Sequence, residues 1–285
     1  MYYARYRCQN DADFAASRQV PLECFCFSVY DARRGLLRYI ALMTRPKLVV
    51  MSLRYSSWSI RALLTLWRAG TDIEVQTAEL KLAHQGIPES IDDQDAYVAQ
   101  AAEKLTARRA LGSVNGNFPV LWVDGKPIHE TLAICEWAAE RHPNAGLWPS
   151  DTIARAQARA LSLEMATGFW KLRTHMSCHP FARVPRFSPD GPTRVEIARI
   201  FEIWRNAIEA SGGPFLFGDC GIVDMMYFPV LLRFETYGVE IPADLQPYAA
   251  ALHGLPEVQR WRALAADAPR IPVYDAYIES LGGQV

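Results

Sequence analysis

The sequence predicts an α+β fold, a mixed strand-and-helix domain followed by an all-helical one, and three observations carry that reading. Before Glu140, short strand-type runs alternate with helix-type runs. From Asp151 onward strand patterns cease and long runs of helical period replace them. A short linker around Leu147-Trp148-Pro149-Ser150 stands between the two halves.

The first strand is the apolar run Leu48-Val49-Val50-Met51. After Ser59, the residues Ile60, Leu63, Leu64 and Trp67 recur at helical spacing, with Arg61 and Arg68 elsewhere on the wheel and Gly70 closing the element. Ile73, Val75 and Thr77 alternate with Glu74, Gln76 and Ala78, which predicts a second strand. The connection over residues 81–117 is longer than a compact domain normally needs, and its part at 95–110 reads as helical. Its acids Glu89, Asp92, Asp93 and Asp95 form either a solvated face or the rim of a site. A third strand at 120–123, the turn signal Asp124-Gly125 and a return strand ending at Ile128 make a hairpin, after which Glu130-Thr131 opens a helix reaching Glu140. The second half holds helical runs at 152–176, 194–210 and 222–237, then a less regular end. Residues 1–44 show no sustained periodicity; they read as an unstructured extension, a start assigned too early, or a targeting arm.

With 285 residues, half of them apolar, and a formal net charge of −1, the chain has material for two ordinary domains. A near-neutral balance without Lys/Arg blocks lacks the electrostatic footprint of a nucleic-acid partner. The six cysteines, Cys8, Cys24, Cys26, Cys135, Cys178 and Cys220, form no disulfide framework, and nothing resembles a cleaved signal peptide, which points to reduced thiols in a cytosolic protein. No stretch approaches the ~20 apolar residues needed to span a bilayer.

The hairpin region carries the first chemical signal. Pro119 sits at a strand edge, where it cannot donate to the ladder but leaves neighbouring backbone groups free to pair with an extended ligand. Glu130 and Thr131 stand at a helix start, where unsatisfied N–H groups welcome a carboxylate and the Glu130 side chain can accept from an ammonium. One small peptide bears all of these groups.

Three stretches resemble the glutathione S-transferases. Phe118-Pro119-Val120-Leu121, with Glu130-Thr131 opening the following helix, is similar to that family's glutathione-site half. Tyr55-Ser56-Ser57-Trp58-Ser59-Ile60-Arg61 is similar to the serine-bearing motif after the first strand in zeta-like members. Pro214-Phe215-Leu216-Phe217-Gly218-Asp219, with Gly221-Ile222-Val223-Asp224 and Pro229, resembles the helix-capping segment of the second domain. The likeness covers roughly residues 45–270, and three matches in order are far more specific than one.

The resemblance implies a thioredoxin-like glutathione-binding domain at 45–145 and an all-helical domain at 151–275. It makes glutathione the co-substrate and Ser56 the catalytic residue, with Ser57 in reserve: a hydroxyl at the positive end of a helix lowers the pKa of a bound thiol from about 8.5. Read alone, the same serines only cap the helix. It further implies a cis Phe118–Pro119 bond, pairing of the backbone before Pro119 with the cysteinyl part of glutathione, a γ-glutamyl site at Glu130 and Thr131, and Asn117 at the glycyl carboxylate. Conjugation to a small hydrophobic electrophile, of the kind used in detoxification by cytosolic homodimers, is the activity it implies. The alternatives are a glutathione-dependent isomerase or dehalogenase, or a non-catalytic glutathione-binding scaffold.

Zeta-like isomerases carry cysteine where this chain has Trp58, which either walls the electrophile pocket or packs at the domain junction. Met165, Phe169 and Trp170 are pocket candidates that fit the core equally well. Asp224 is expected to stabilise the start of its helix, although Gly221 replaces the family's usual Ser or Thr cap. His175, Cys178 and His179 lack a fourth ligand for zinc, and Cys135 reads as a small buried apolar residue.

Overall fold

The computed structural model describes residues 45–79 and 94–285. Residues 1–44 and the acids Glu89, Asp92 and Asp93 lie outside the described residues. Strand β1 (Lys47–Val50) runs parallel to β2 (Glu74–Thr77), and helix α1 (Ser57–Arg68) makes the crossover that a parallel pair requires. Strand β3 (Val120–Val123) lies antiparallel to β1, and β4 (Lys126–His129) pairs antiparallel with β3, so the sheet order is β2-β1-β3-β4. The parallel crossover and the antiparallel hairpin of the sequence reading are both present. The β3–β4 turn uses positive φ at Asp124 (48°) and Gly125 (76°), as the primed hairpin turns demand. Pro127 lies on β4, an edge strand that tolerates a missing donor. Helix α2 (Gln94–Arg109) precedes β3, and α3 (Thr131–Arg141) follows β4.

The second half is helical: α4 (Thr152–Thr167), α5 (Trp170–His175), α6 (Gly191–Ser211), α7 (Ile222–Thr236), α8 (Gln246–Gly254), α9 (Pro256–Ala266) and α10 (Pro272–Ser280). Asp151 caps α4 by accepting from the N–H groups of Ile153 and Ala154, and Asp190 caps α6 by accepting from Thr193 N–H. That cap, with Pro192 in the first turn, starts α6 one turn before the run read from the sequence. Helix α7 is apolar on all sides and is buried almost throughout, packed against α1 and α4. One sequence expectation is corrected here: the run at 152–176 is two helices. The Gly168 N–H ends α4 on Glu164 O at 2.8 Å, and Phe169 adopts a left-handed conformation (φ 53°, ψ 42°). Burial of the Phe169 ring against Tyr227, centroids 6.4 Å apart, offsets that backbone cost.

Asp224, fully buried, accepts from Gly221 N–H at 2.9 Å and from Leu216 N–H at 3.1 Å. It therefore fastens both the start of α7 and the preceding turn. The missing hydroxyl at Gly221 also has a physical cause: a Cβ there would meet Leu147 O at 2.7 Å, because the linker carbonyl accepts from Ile222 N–H across the gap. Gly221→Ser, which would restore the family's cap, is expected to lower stability by about 1–3 kcal/mol through overpacking rather than raise it. Thermal unfolding of the variant checks this, and a raised midpoint would refute it.

Candidate functional site

The loop between β1 and α1, the approach to β3, the start of α3 and the helical half converge on a cavity of about 570 Å³. Tyr55, Ser56, Ser57 and Trp58 reach it from the first loop, Asn117, Phe118 and Pro119 from the approach to β3, and Glu130 and Thr131 from the hairpin's end.

Ser56 is the N-cap of α1, with extended backbone (φ −87°, ψ 93°). Its Oγ accepts from Ser59 N–H at 3.3 Å and lies 2.9 Å from Ser59 Oγ. The capping reading and the cavity reading thus describe one atom: the oxygen closes the helix start while the side chain borders the cavity. An anion beside it would meet the hydroxyl and the positive end of α1 together. Ser57 Oγ accepts from Arg233 Nη2 at 3.4 Å.

The Phe118–Pro119 peptide bond is cis, and both residues lie just before the β3 ladder begins at Val120. Thr131 Oγ1 donates to Trp58 O at 3.2 Å, fastening the start of α3 to the serine motif. Glu130 precedes α3 with φ 74° and ψ 126°, a sparsely populated conformation for a residue with a side chain, and such strain clusters at functional sites. Its Oε1 accepts from Asn115 Nδ2 at 2.5 Å.

Two buried cations contact residues that line this cavity, Arg61 at the Trp58 ring and Arg233 at Ser57 Oγ. Arg61 and Arg233 are 1 % and 5 % exposed, and among the described residues neither forms an ion pair. Arg61 Nε donates to Met226 O at 2.7 Å, and Arg233 Nε donates to Met176 O at 2.7 Å. Burial, reinforced by the neighbouring Arg233 charge, brings the Arg61 pKa down to about 9, so it still carries its proton at neutral pH. Trp58 lies between two guanidinium groups, Arg61 at 4.6 Å and Arg173 at 5.1 Å from its ring centroid. Arg173 and Arg108 line the cavity themselves, whereas Arg61 and Arg233 reach it only through the lining residues Trp58 and Ser57.

Met165 and Phe169 pack in the hydrophobic core and do not line the cavity. Trp170 does line it, and so do Arg173, Arg108 and Tyr274, which sequence reasoning missed. The helix break at Gly168 is the reason: it starts a new helix, α5, whose register brings Trp170 and Arg173 to the cavity instead of Met165 and Phe169. The Gly168-Phe169 pair was the one local sign of that break. Of the other residues singled out, Cys135 is fully buried and donates to Thr65 Oγ1 at 3.4 Å, and burial pushes its thiol up to about 12. His175 contacts Thr193 Oγ1 through Nδ1 at 3.0 Å, while His179 Nε2 bonds Asp275.

Two family models, described as the N-terminal and C-terminal domains of glutathione S-transferase, match residues 55–141 and 154–264. The chain belongs to the glutathione S-transferase family. A curated relative, the probable maleylacetoacetate isomerase of Caenorhabditis elegans, is 28% identical over 219 residues, covering 73% of this chain and 89% of the relative. The maleylacetoacetate isomerase of Rhizobium meliloti (strain 1021) is 36% identical over 100 residues, 35% of this chain and 44% of its own length. Among solved structures, a glutathione transferase homologue from Burkholderia with bound glutathione superposes with a TM-score of 0.55 at 21% identity, over 78% of this chain and 98% of its own. The theta-class enzyme of Xanthomonas axonopodis pv. citri, also with glutathione bound, gives 0.52 at 21% identity, over 76% and 97%. At these identities the structures establish the transferase fold: a small mixed-sheet domain with a helical partner.

Proposed function

We propose that this transferase-family chain binds glutathione in the cavity, activates its thiol with Ser56, and directs the thiolate at a small electrophile. The carrying observation is that one cavity gathers the Ser56 hydroxyl at the start of α1, the backbone at Phe118–Pro119 leading into β3 and the start of α3 at Glu130–Thr131. Those three features match, in order, a thiol, a peptide backbone, and an α-amino acid end. In this reading residues 45–145 hold the peptide, Asn117 faces its glycyl end, residues 151–275 complete the electrophile site, and Trp58, Trp170 and Arg173 wall it.

The thiol loses its proton to solvent, and the Ser56 O–H donates to the sulfur anion. Conjugation then forms a carbon–sulfur bond while the leaving group departs with its electron pair. The relatives named as maleylacetoacetate isomerases favour a second outcome from the same first step. There the thiolate adds to a conjugated double bond, the bond turns while single, and the thiolate leaves unchanged. Trp58, where the zeta-like isomerases have cysteine, favours conjugation. Calorimetry with glutathione plus an ultraviolet scan for thiolate tests the shared reading, and no heat at millimolar glutathione would overturn it. Stoichiometric loss of glutathione during turnover identifies conjugation; constant glutathione identifies isomerisation.

Arg61→Met is expected to raise the pKa of the bound thiol by about one unit, because a buried cation acts on the cavity through poorly screening protein. Thiolate absorbance against pH measures it, and an unmoved titration would remove Arg61 from the electrostatics. Homodimerisation and a cytosolic location belong to the same reading. Sedimentation checks the first of these.

A further inference from the structure

Part of the cavity wall comes from chain beyond both family matches. Tyr274, in the first turn of α10, lines the cavity, whereas the C-terminal match ends at residue 264. Its ring stacks on that of Tyr55, with centroids 5.0 Å apart and planes 17° from parallel. Tyr55 lines the cavity too, and it immediately precedes Ser56.

The Tyr55 hydroxyl is committed elsewhere. It donates to Asp275 Oδ1 at 2.8 Å and accepts from Ile271 N–H at 3.2 Å. The same carboxylate, in a residue 7 % exposed, receives His179 Nε2 at 2.8 Å and Arg270 Nε at 2.7 Å. The His179 ring meets Tyr55 edge-on at 4.9 Å. Hydrogen bonds from His179, Tyr55 and Arg270 outweigh burial and hold the Asp275 carboxyl below its usual range; burial likewise disfavours the charged form of His179. A neutral His179 donating from Nε2 to an ionised Asp275 is the consistent arrangement, with Arg54 the further cation acting on the histidine. Two more bonds run the same way: Trp261 Nε1 donates to Leu53 O at 3.0 Å, and Arg54 Nη1 donates to Ala266 O at 3.1 Å. The segment that presents Ser56 is thus held by residues more than 200 positions away in the chain.

We propose that Asp275 is a positioning residue that fixes Tyr55, and through it both the Ser56 loop and the Tyr274 face of the electrophile site. Tyr274, with Trp58 and Trp170, offers aromatic faces that fit a flat, conjugated acceptor. The inference rests on the glutathione reading for the identity of the reaction, and on the hydrogen bonds alone for the positioning.

The test uses the full chain with glutathione and chlorodinitrobenzene as the probe electrophile. Asp275→Asn is nearly isosteric but cannot accept all three donors as a carboxylate does. It is expected to raise KM for the electrophile about fivefold while glutathione affinity stays within about twofold. Tyr274→Ala should do the same, and Tyr274→Phe should restore most of the loss. Hydrogen exchange needs no ligand: Asp275→Asn should speed amide exchange at 52–58 about tenfold. Arg270→Gln, on the more exposed side of the cluster, should give a smaller change in the same direction and guards against a variant that fails to fold. Unchanged exchange at 52–58 in both variants would overturn the positioning role. Equal losses of glutathione affinity and electrophile KM would also overturn it, since they indicate general damage. Absence of glutathione binding by the wild type would instead defeat the functional reading, and the exchange result would still decide the role of Asp275.

Discussion

Ser56→Ala is expected to reduce turnover on the order of 10²-fold while glutathione affinity changes by no more than about twofold, the usual signature of losing one donor to a developing or bound anion. The side chain lines the cavity, and its oxygen is held by Ser59 N–H, so the hydroxyl is placed before any ligand arrives. Peptide recognition is assigned to other groups, at Phe118–Pro119 and Glu130–Thr131, and these are untouched by the change. The variant should also lose thiolate absorbance at neutral pH, because only the α1 terminus and the buried arginines remain to stabilise the sulfur anion. Equal turnover by both forms would take Ser56 out of the mechanism. Ser57→Ala is the informative companion, since Ser57 Oγ is engaged with Arg233 and should cost far less.

Asp224→Ala is expected to destabilise the chain by about 3 kcal/mol, leaving the buried N–H groups of Leu216 and Gly221 without an acceptor. For a described region of this size that corresponds to roughly 6–12 °C in thermal midpoint. Glutathione affinity measured well below the midpoint should be nearly intact, because Asp224 does not line the cavity. Unchanged stability with lost binding would invert the assignment. A pH dependence accompanies it. Burial pushes the Asp224 carboxyl up to about 6 from 3.8, against the pull of its hydrogen bonds. Because the folded pKa is the higher one, this contribution is fully present below about pH 4 and is lost as pH rises through about 6. The stability advantage of wild type over Asp224→Asn should therefore shrink between pH 4 and 7; a growing advantage would show that the carboxylate form is the preferred one.

What the sequence determined by itself were the features that depend on neighbours along the chain. The period of Ile60, Leu63, Leu64 and Trp67, the alternation around Val75, the Asp124-Gly125 turn and the long helical runs each reflect local backbone preference, and they defined the α+β class and the order of its parts. Ser56, Pro119, Glu130 and Thr131 were singled out by resemblance to the family, since read locally they are only a helix cap, a proline beside a strand and a helix opening; all four line the cavity. Even Gly221 was visible as a departure, although its cause, the linker carbonyl of Leu147, was not.

Only the tertiary structure decided which side chains face the cavity from the helical half. Met165 and Phe169 have the same apolar character as Trp170, and although Gly168 marks a break, neither it nor their spacing shows the direction in which the next helix leaves. The buried arginines behave similarly: Arg61 reads as a polar position on an amphipathic helix, yet the packing of α7 against α1 encloses it and leaves its Nε to Met226 O. Asp275 and Tyr55 are 220 residues apart, and no local pattern links them. A hydrogen bond at that separation exists only because the chain has already folded, and folding is a sum over many weak contacts that no single stretch records.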